Sequence, residues 1–115
     1  MKAEERQEIA TEMTLAAVRV VADGTNYRML LAMRGAGASA DELMAASGLG
    51  GFAARERVSQ LAAAGLASHD PQSGNVTATR LGHGLVGLVE RVRERFAAKL
   101  EERFDELTQL GEVRR

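Results

Sequence analysis

The chain has 115 residues and a mass of 12.3 kDa, the size of one ordinary domain. Hydrophobic residues make up 45% of it, which argues against wholesale disorder. It contains no cysteine, which excludes disulfides, thiolate nucleophiles and Cys-ligated metal centres. Aromatic residues are only 3%, so the core must be built from Ala, Leu, Val and Met, a composition that suits closely packed helices.

The charge is nearly balanced, with a net value of −1, which argues against a polybasic nucleic-acid binder. It is unevenly placed: residues 25–85 contain five bases and four acids, whereas residues 1–24 contain three bases and five acids. Any nucleic-acid surface must therefore be local. Thirteen of the fifteen bases are Arg, which favours forked hydrogen bonds to carboxylate, phosphate or guanine.

Signals for membrane insertion or export are not found in the sequence. No apolar run approaches the roughly 20 residues that a bilayer span requires. The N-terminal residues do not show the basic-then-apolar order of a secretory signal. We therefore expect a soluble, cytoplasmic protein without a membrane partner.

The first 64 residues are predicted to form four helices. Apolar residues at three- and four-residue intervals predict a long first helix, and Asp23-Gly24 is expected to end it. Ser39 and Glu42 form a capping box that starts the third helix, and Gly48 suits its left-handed end. The first helix is predicted over 3–22, and the second over about 25–34, opening at Thr25 or Asn26. The third is predicted over 39–46, and the fourth follows Gly50-Gly51 and runs to Ala64.

The apolar period changes after Gly65. Two short β-prone runs, 66–69 and 75–79, flank a segment dense in turn-forming residues and predict a small hairpin. A long helix is then predicted from about Arg80 to Leu110. Its apolar stripe comprises Leu85, Leu88, Val89, Val92, Phe96, Leu100, Phe104 and Leu107.

This order of elements is that of a helix-turn-helix followed by a β wing. The sequence resembles the winged-helix regulators of the MarR type, and the PadR and ArsR types share the same core pattern. The resemblance covers most of residues 25–110. It is carried by Ala40-Asp41-Glu42-Leu43, Leu49, the run from Arg57 to Leu66, Asp70-Pro71, and Thr77-Ala78-Thr79-Arg80-Leu81-Gly82.

The resemblance implies a mostly α, winged helix-turn-helix fold with long terminal helices that join two protomers. It divides the chain into an N-terminal dimerisation helix (1–24), a winged-helix core (25–80) and a C-terminal dimerisation helix (81–115). It also implies a homodimer that binds double-stranded DNA and regulates transcription. The recognition helix, about 51–64, would enter the major groove, and the wing, about 70–75, would rest on the DNA backbone.

Candidate DNA contacts follow from that comparison. Arg55 and Arg57 are expected to bind phosphate or guanine, although Arg57 lies beside Val58 and can turn inward. The wing has no arginine, and the first turn of the presumed recognition helix has few hydroxyl groups, which predicts modest affinity. The candidate residues are Gly51, Phe52, Ala53, Arg55, Arg57, Ser59, Gln60, Ser73, Asn75 and Arg80.

Other functions stay open. The same fold serves plasmid-partition adaptors that bind centromere DNA, and a near-neutral surface also suits a protein-interaction module. We expect no enzyme activity, metal or cofactor, because His69 and His83 have neither a nucleophile nor paired carboxylates at suggestive spacing. A small-molecule effector is a further hypothesis. Four methionines, Met13, Met29, Met33 and Met44, either line its pocket or fill the core.

Overall fold

The computed structural model describes residues 1–113 and confirms a mostly helical fold. Five helices and one hairpin follow one another within these residues. Their bounds are α1 Ala3–Ala22, α2 Gly24–Ala32, α3 Ala40–Ser47, α4 Gly51–Ala63, β1 Ala67–His69, β2 Val76–Ala78 and α5 Arg80–Val113.

The corner between α1 and α2 is a single residue, Asp23. Its backbone is extended, and its carboxylate accepts hydrogen bonds from the amides of Thr25 (2.9 Å) and Asn26 (3.1 Å). The prediction that α2 starts at Thr25 or Asn26 is therefore wrong by one or two residues. Asp23 acts as the N-cap, a position that favours Asp because its side chain satisfies the free amides of the first turn.

The helix-turn-helix consists of α3, a short turn and α4. The predicted capping box is present: the Ser39 hydroxyl accepts from the Glu42 amide, and the Glu42 carboxylate accepts from the Ser39 amide. Gly48 adopts the left-handed conformation (φ 72°) that ends α3. These local signals are strong because each satisfies backbone groups that a helix end leaves unpaired.

The hairpin is antiparallel and has a third partner that the sequence does not reveal. Residue 67 pairs with residue 78, and Ala38 forms an isolated bridge with Val76. The approach depends on Gly37 (φ 91°), where a Cβ would lie 2.8 Å from the Val76 carbonyl oxygen. The segment predicted only as a break in the helical pattern thus adds a single backbone bridge to the outer edge of the two-stranded hairpin.

The start of α5 packs against the end of the helix-turn-helix. The Thr79 hydroxyl donates to the Gly65 carbonyl (2.6 Å) and accepts from the Gly82 amide (3.1 Å). A Cβ on Gly82 would lie 2.3 Å from the Leu66 carbonyl oxygen. Gly82 therefore permits a close approach that no other residue allows, whereas Gly84 has open space around it.

The core lies between α2, α3, α4, the hairpin and the near ends of α1 and α5. Its members are small or flexible apolar residues, as the low aromatic content requires. The largest fully buried apolar side chains are Met29, Leu30, Met33, Leu61 and Leu66. The rest of the core comprises Ala17, Val21, Ala38, Leu43, Ala54, Ala67, Val76 and Val86.

The far parts of α1 and α5 extend away from this core. The radius of gyration is 19.1 Å, whereas a compact chain of this length has about 13 Å. Residues 1–16 and 91–111 are all exposed. Of the periodic apolar residues of α1, Ile9 (43%) and Met13 (68%) are exposed, and only Ala17 and Val21 are buried. Within residues 1–113, no helix has both the length and the apolar character needed to cross a bilayer.

Candidate nucleic-acid interface

Helix α4 presents one face to the core and the opposite face to solvent. Ala54 and Leu61 are buried and Val58 is half-buried, so the predicted inner face is confirmed. The outward face carries Phe52 and Ser59. The same turn of helix also exposes Glu56, so a carboxylate lies among the candidate contacts.

Phe52 and its neighbours form the tip of α4. Phe52 is 74% exposed and does not belong to the core. Gly51 is exposed and Ala53 is half-buried beside it. A shallow depression on this side is lined by Leu49, Phe52, Ala53, Arg55, Glu56, Arg57, Ser59 and Gln60.

Arg55 lies on the flank of α4 that faces the hairpin. Its Nε donates weakly to the Gly51 carbonyl (3.4 Å), one turn earlier in the same helix. The ion pairs within residues 1–113 are Arg34–Glu90 and Arg57–Asp23, so the Arg55 guanidinium has no carboxylate partner there. Its forked donors are therefore available to a ligand outside the chain.

Arg57 lies on the other flank, turned towards α2. Its Nη1 is 3.0 Å from the Asp23 carboxylate and 3.2 Å from the Asn26 side-chain oxygen. The Asn26 amide and then Arg57 hold the pKa of Asp23 below its ordinary value. Gln60 is on the same flank, and its side-chain oxygen accepts from Asn26 at 3.4 Å.

The wing tip is organised by a carboxylate. Asp70 accepts from the Gln72 amide (2.9 Å) and from the Ser73 hydroxyl (2.8 Å), and these bonds lower its pKa. The Ser73 hydroxyl in turn accepts from the Asn75 amide (3.2 Å). The Ser73 proton is therefore used inside the loop, and residues 70–75 contain no Lys or Arg. Arg80 is exposed at the first position of α5, just beyond the hairpin.

Asn26 and Asp23 were not identified as functional candidates from the sequence. Asn26 is 1% exposed and makes contacts through both atoms of its amide. The available signal was Asp23 three residues ahead of it, because Asp is a favoured N-cap residue. That signal predicts a helix start. It does not predict that α4 packs against this corner.

The terminal helices expose a large amount of apolar surface. On α5 it continues the predicted stripe to Leu110, with Phe96 at 66% and Phe104 at 71% exposure. The exposed large apolar residues of the two helices are Ile9, Met13, Leu15, Val18, Leu81, Leu88, Val89, Val92, Phe96, Leu100, Phe104, Leu107 and Leu110. Exposed apolar surface of this extent is typical of an interaction surface.

The four methionines divide between two environments. Met29 and Met33 are fully buried and belong to the core. Met13 is exposed on α1, and Met44 is half-buried beside a groove between α3, α4 and the hairpin. The groove has a volume of about 410 Å³ and an apolar floor with Arg55 and His69 among its lining residues. Within residues 1–113, no group of three or more His, Asp or Glu side chains is arranged to hold a metal.

Comparison with known proteins gives a structural likeness and no likeness in sequence to a family or curated protein. No protein-family profile matches the sequence, and no curated protein matches it. A solved structure of Bordetella bronchiseptica BpsR matches with a TM-score of 0.52 and 20% identity, covering 83% of each chain. That structure was determined to explain how 6-hydroxynicotinic acid regulates the DNA binding of BpsR. At this identity the likeness establishes the fold: the chain is a winged helix-turn-helix with long helices at both ends.

Proposed function

We propose that the protein is a homodimeric, sequence-specific double-stranded-DNA-binding regulator of transcription. The observation that carries this proposal is the exposed side of α4, the second helix of the helix-turn-helix. Its outward face carries Phe52 and Ser59, and Arg55 on the flank beside the hairpin has no carboxylate partner among the described residues. In winged helices of this order, the second helix of the motif enters the major groove and the hairpin lies on the flanking backbone.

The proposed DNA contacts have different tasks. Arg55 donates to guanine or phosphate, and Ser59 and Phe52 meet base edges or thymine methyl groups. The Gly51 and Ala53 backbone lies at the N-terminal end of α4, where the helix dipole favours phosphate. Beyond α4 the proposed backbone contacts are Asn75 and Arg80. The Ser73 hydroxyl donates to Asp70 and so supports the loop from within, and Arg57 and Gln60 lie on the flank of α4 that faces α2.

Dimerisation is supported by the exposed terminal helices. A second copy would cover apolar side chains such as Phe96, Leu100 and Phe104, which are 60–71% exposed in one chain. The eight residues of the stripe on α5 keep to one side of the helix over several turns, as a helix-to-helix interface requires. Two α4 helices held at a fixed spacing would read a palindromic site with an affinity that neither has alone.

The proposed DNA-binding surface carries little positive charge, which predicts how the affinity for DNA should depend on salt. The exposed side of α4 carries Arg55 but also Glu56, and the wing tip carries Asp70 and no arginine. Few phosphates are then neutralised by each protomer, so the dependence of affinity on salt should be shallow. Recognition would depend on base contacts and on dimer spacing more than on bulk electrostatic attraction.

The decisive experiment selects bound sequences from genomic DNA with the purified protein and then titrates the best site across salt concentrations. Arg55→Ala should weaken specific binding by about 1–3 kcal/mol and lower the salt slope by about one. Glu56→Gln is the matched control of opposite sign, because it removes a repulsive charge one position away and should strengthen binding slightly. Unchanged binding by Arg55→Ala, with the dimer intact, would remove Arg55 from the interface.

Two alternatives use the same fold. A partition adaptor would select arrays of short direct repeats in that experiment instead of a palindrome. A protein-interaction module is favoured by the composition of the wing. The Ser73 hydroxyl donates to Asp70, and residues 70–75 contain no Lys or Arg that could bind phosphate. Retention on DNA at ~0.15 M salt, where the Debye length is about 8 Å, separates the last two classes.

A small-molecule effector is a secondary part of the proposal. It is supported by the apolar groove beside Met44, whose volume lies within the range of small-ligand sites. The effector named for BpsR is a property of that protein. For this chain the test is a thermal-shift screen of small aromatic acids, with Val58→Phe as the variant that fills the groove. Equal shifts for the wild type and this variant would place the ligand elsewhere.

A further inference from the structure

Asn26 is a buried residue of α2 whose side-chain amide contacts two other helices, α1 and α4. Its Nδ2 donates to the carbonyl of Val20 in the last turn of α1 (3.0 Å) and to Gln60 of α4 (3.4 Å). Its Oδ1 accepts from Arg57 of α4 at 3.2 Å. With the side chain 1% exposed on α2, one residue therefore ties α1 and α4 to the helix between them.

Asp23 adds a charged partner to the same cluster. Its Oδ1 caps α2 through the amides of residues 25 and 26 and also lies 3.0 Å from Arg57 Nη1. Hydrogen bonds with an ionised partner are about twice as strong as neutral ones. If α1 or α4 moved away, the buried Asn26 amide would lose its hydrogen-bond partners and be left unsatisfied. The cluster therefore favours the observed arrangement of the three helices over slightly shifted ones.

The cluster engages only one flank of α4. Arg57 and Gln60 are three residues apart on that flank, whereas Arg55 faces the hairpin side. A rotation of α4 about its axis would separate Arg57 and Gln60 from Asn26. The same rotation would turn Arg55 and Ser59 away from the major groove of bound DNA.

From this geometry we infer that Asn26, Asp23 and Arg57 form a pin that fixes the rotation of α4 and couples it to the orientation of α1. The inference rests on the proposed function, in which α4 reads DNA. Arg57 and Gln60 are then positioning residues, and Arg55 is the arginine that contacts DNA. The pin also couples α1 to α4. A second protomer that tilts α1 would move the Val20 carbonyl to which Asn26 donates, and this would shift the position of α4.

The first test separates positioning from contact. Arg57→Met removes the guanidinium and keeps the alkyl chain, and Arg55→Met is the matched control on the open flank. Arg57→Met should reduce specific affinity about two- to fivefold, because the Arg57–Asp23 pair is partly exposed and such pairs are worth at most about 1 kcal/mol, while non-specific affinity and salt slope stay unchanged. Arg55→Met should reduce both affinities and the slope. A salt slope that falls by about one in Arg57→Met would identify a phosphate contact and overturn the inference.

The second test needs no DNA, so it can fail independently of the proposed function. Amide hydrogen exchange should rise in both residues 17–26 and α4 for Arg57→Met and for Asn26→Ala, and it should stay unchanged in Arg55→Met. The double variant should show no more exchange than Asn26→Ala alone, because both changes break the same network. Additive effects, or effects confined to the substituted helix, would overturn the pin.

A milder variant covers the case in which Asn26→Ala does not fold. Asp23→Asn retains a favoured N-cap side chain and removes only the charge opposite Arg57. It should raise exchange in the same two segments by a smaller factor, and unchanged exchange in α4 would count against the pin. If the wild type binds no DNA while exchange responds as expected, the proposed function fails and the structural coupling stands.

Discussion

The winged-helix core and the terminal helices differ in how they satisfy their apolar surface. Between residues 24 and 79 the large apolar side chains pack on one another, and Phe52 is the exception that faces solvent. In the outer part of α5, by contrast, Phe96, Leu100 and Phe104 contact solvent although they follow the helical repeat as regularly as any core residue. Periodicity therefore identifies which face of a helix will be buried, but it does not identify whether the same chain buries it.

The largest expected effect is on the outer part of α5. Phe96→Glu places a charge in the middle of the stripe and should dissociate the proposed dimer, because a two-fold interface contains the substitution twice. Burial of one Phe is worth about 1.5–3 kcal/mol, so the dissociation constant should rise by about a hundredfold or more. Sedimentation equilibrium measures it directly.

Ala98→Glu is the matched control for that variant. It introduces the same charge two residues away, on the opposite side of the helix, where the side chain is also exposed. This control should dimerise like the wild type. Dissociation of both variants, or of neither, would contradict the assignment of the stripe as the interface.

A smaller effect is expected where the core meets α5. Gly82→Ala would place a Cβ 2.3 Å from the Leu66 carbonyl oxygen. Because that oxygen also accepts from the Thr79 amide (3.0 Å), it has little freedom to move. The free energy of unfolding should fall by about 1–3 kcal/mol in a urea titration.

Gly84→Ala, two residues further along α5, should act in the opposite direction. Nothing lies within 4 Å of its added Cβ, so the gain in helix propensity of about 0.5–1 kcal/mol should appear as increased stability. If Gly82→Ala were also stabilising, the close packing of α5 on Leu66 would be wrong.

The smallest effect is a pH dependence of stability. The pKa values of Asp23 and Asp70 are lowered, chiefly by backbone amides that donate to their carboxylates. A carboxyl group with a lowered pKa in the folded state stabilises the fold above its unfolded pKa and loses that contribution as the pH falls through the folded value. The melting temperature should therefore be flat from neutral pH to about 5 and fall below about 4.

Asp23→Asn and Asp70→Asn should each flatten part of that acidic decline. Both side chains are near solvent, so the change should be small. This prediction also bears on the pin. Protonation of Asp23 removes the charge opposite Arg57 and should weaken the contact that fixes the rotation of α4. An acidic decline unchanged in both variants would mean that other carboxyl groups cause it.

Local chemistry made much of the fold predictable. The capping box at Ser39 and Glu42, the left-handed Gly48 and the turn-rich segment 70–74 each restrict only nearby backbone, and the structure contains all three features. The predicted helix bounds differ by at most three residues from those observed. The start of α2 was misplaced because Asp23 both ends α1 and caps α2.

The candidate site was less predictable. The sequence separates Arg55 from Arg57 only weakly, through the position of Arg57 beside Val58, where its side chain can turn inward. Packing distinguishes them, because α2 brings Asp23 and Asn26 to only one of the two flanks. Ser73 was predicted as a DNA contact of the wing, whereas its hydroxyl proton is donated to Asp70 across the loop. DNA contact by these residues stays a prediction.

The sequence by itself determined the number, type and order of the elements, because helix periodicity, caps and turn residues act over a few neighbouring positions. Only the tertiary structure decided that Gly37 admits a backbone bridge between Ala38 and Val76, that Gly82 admits the Leu66 backbone and that Asn26 joins three helices. Each of those features pairs segments that are distant along the chain, and their residues acquire a role only when folding brings the partner within contact.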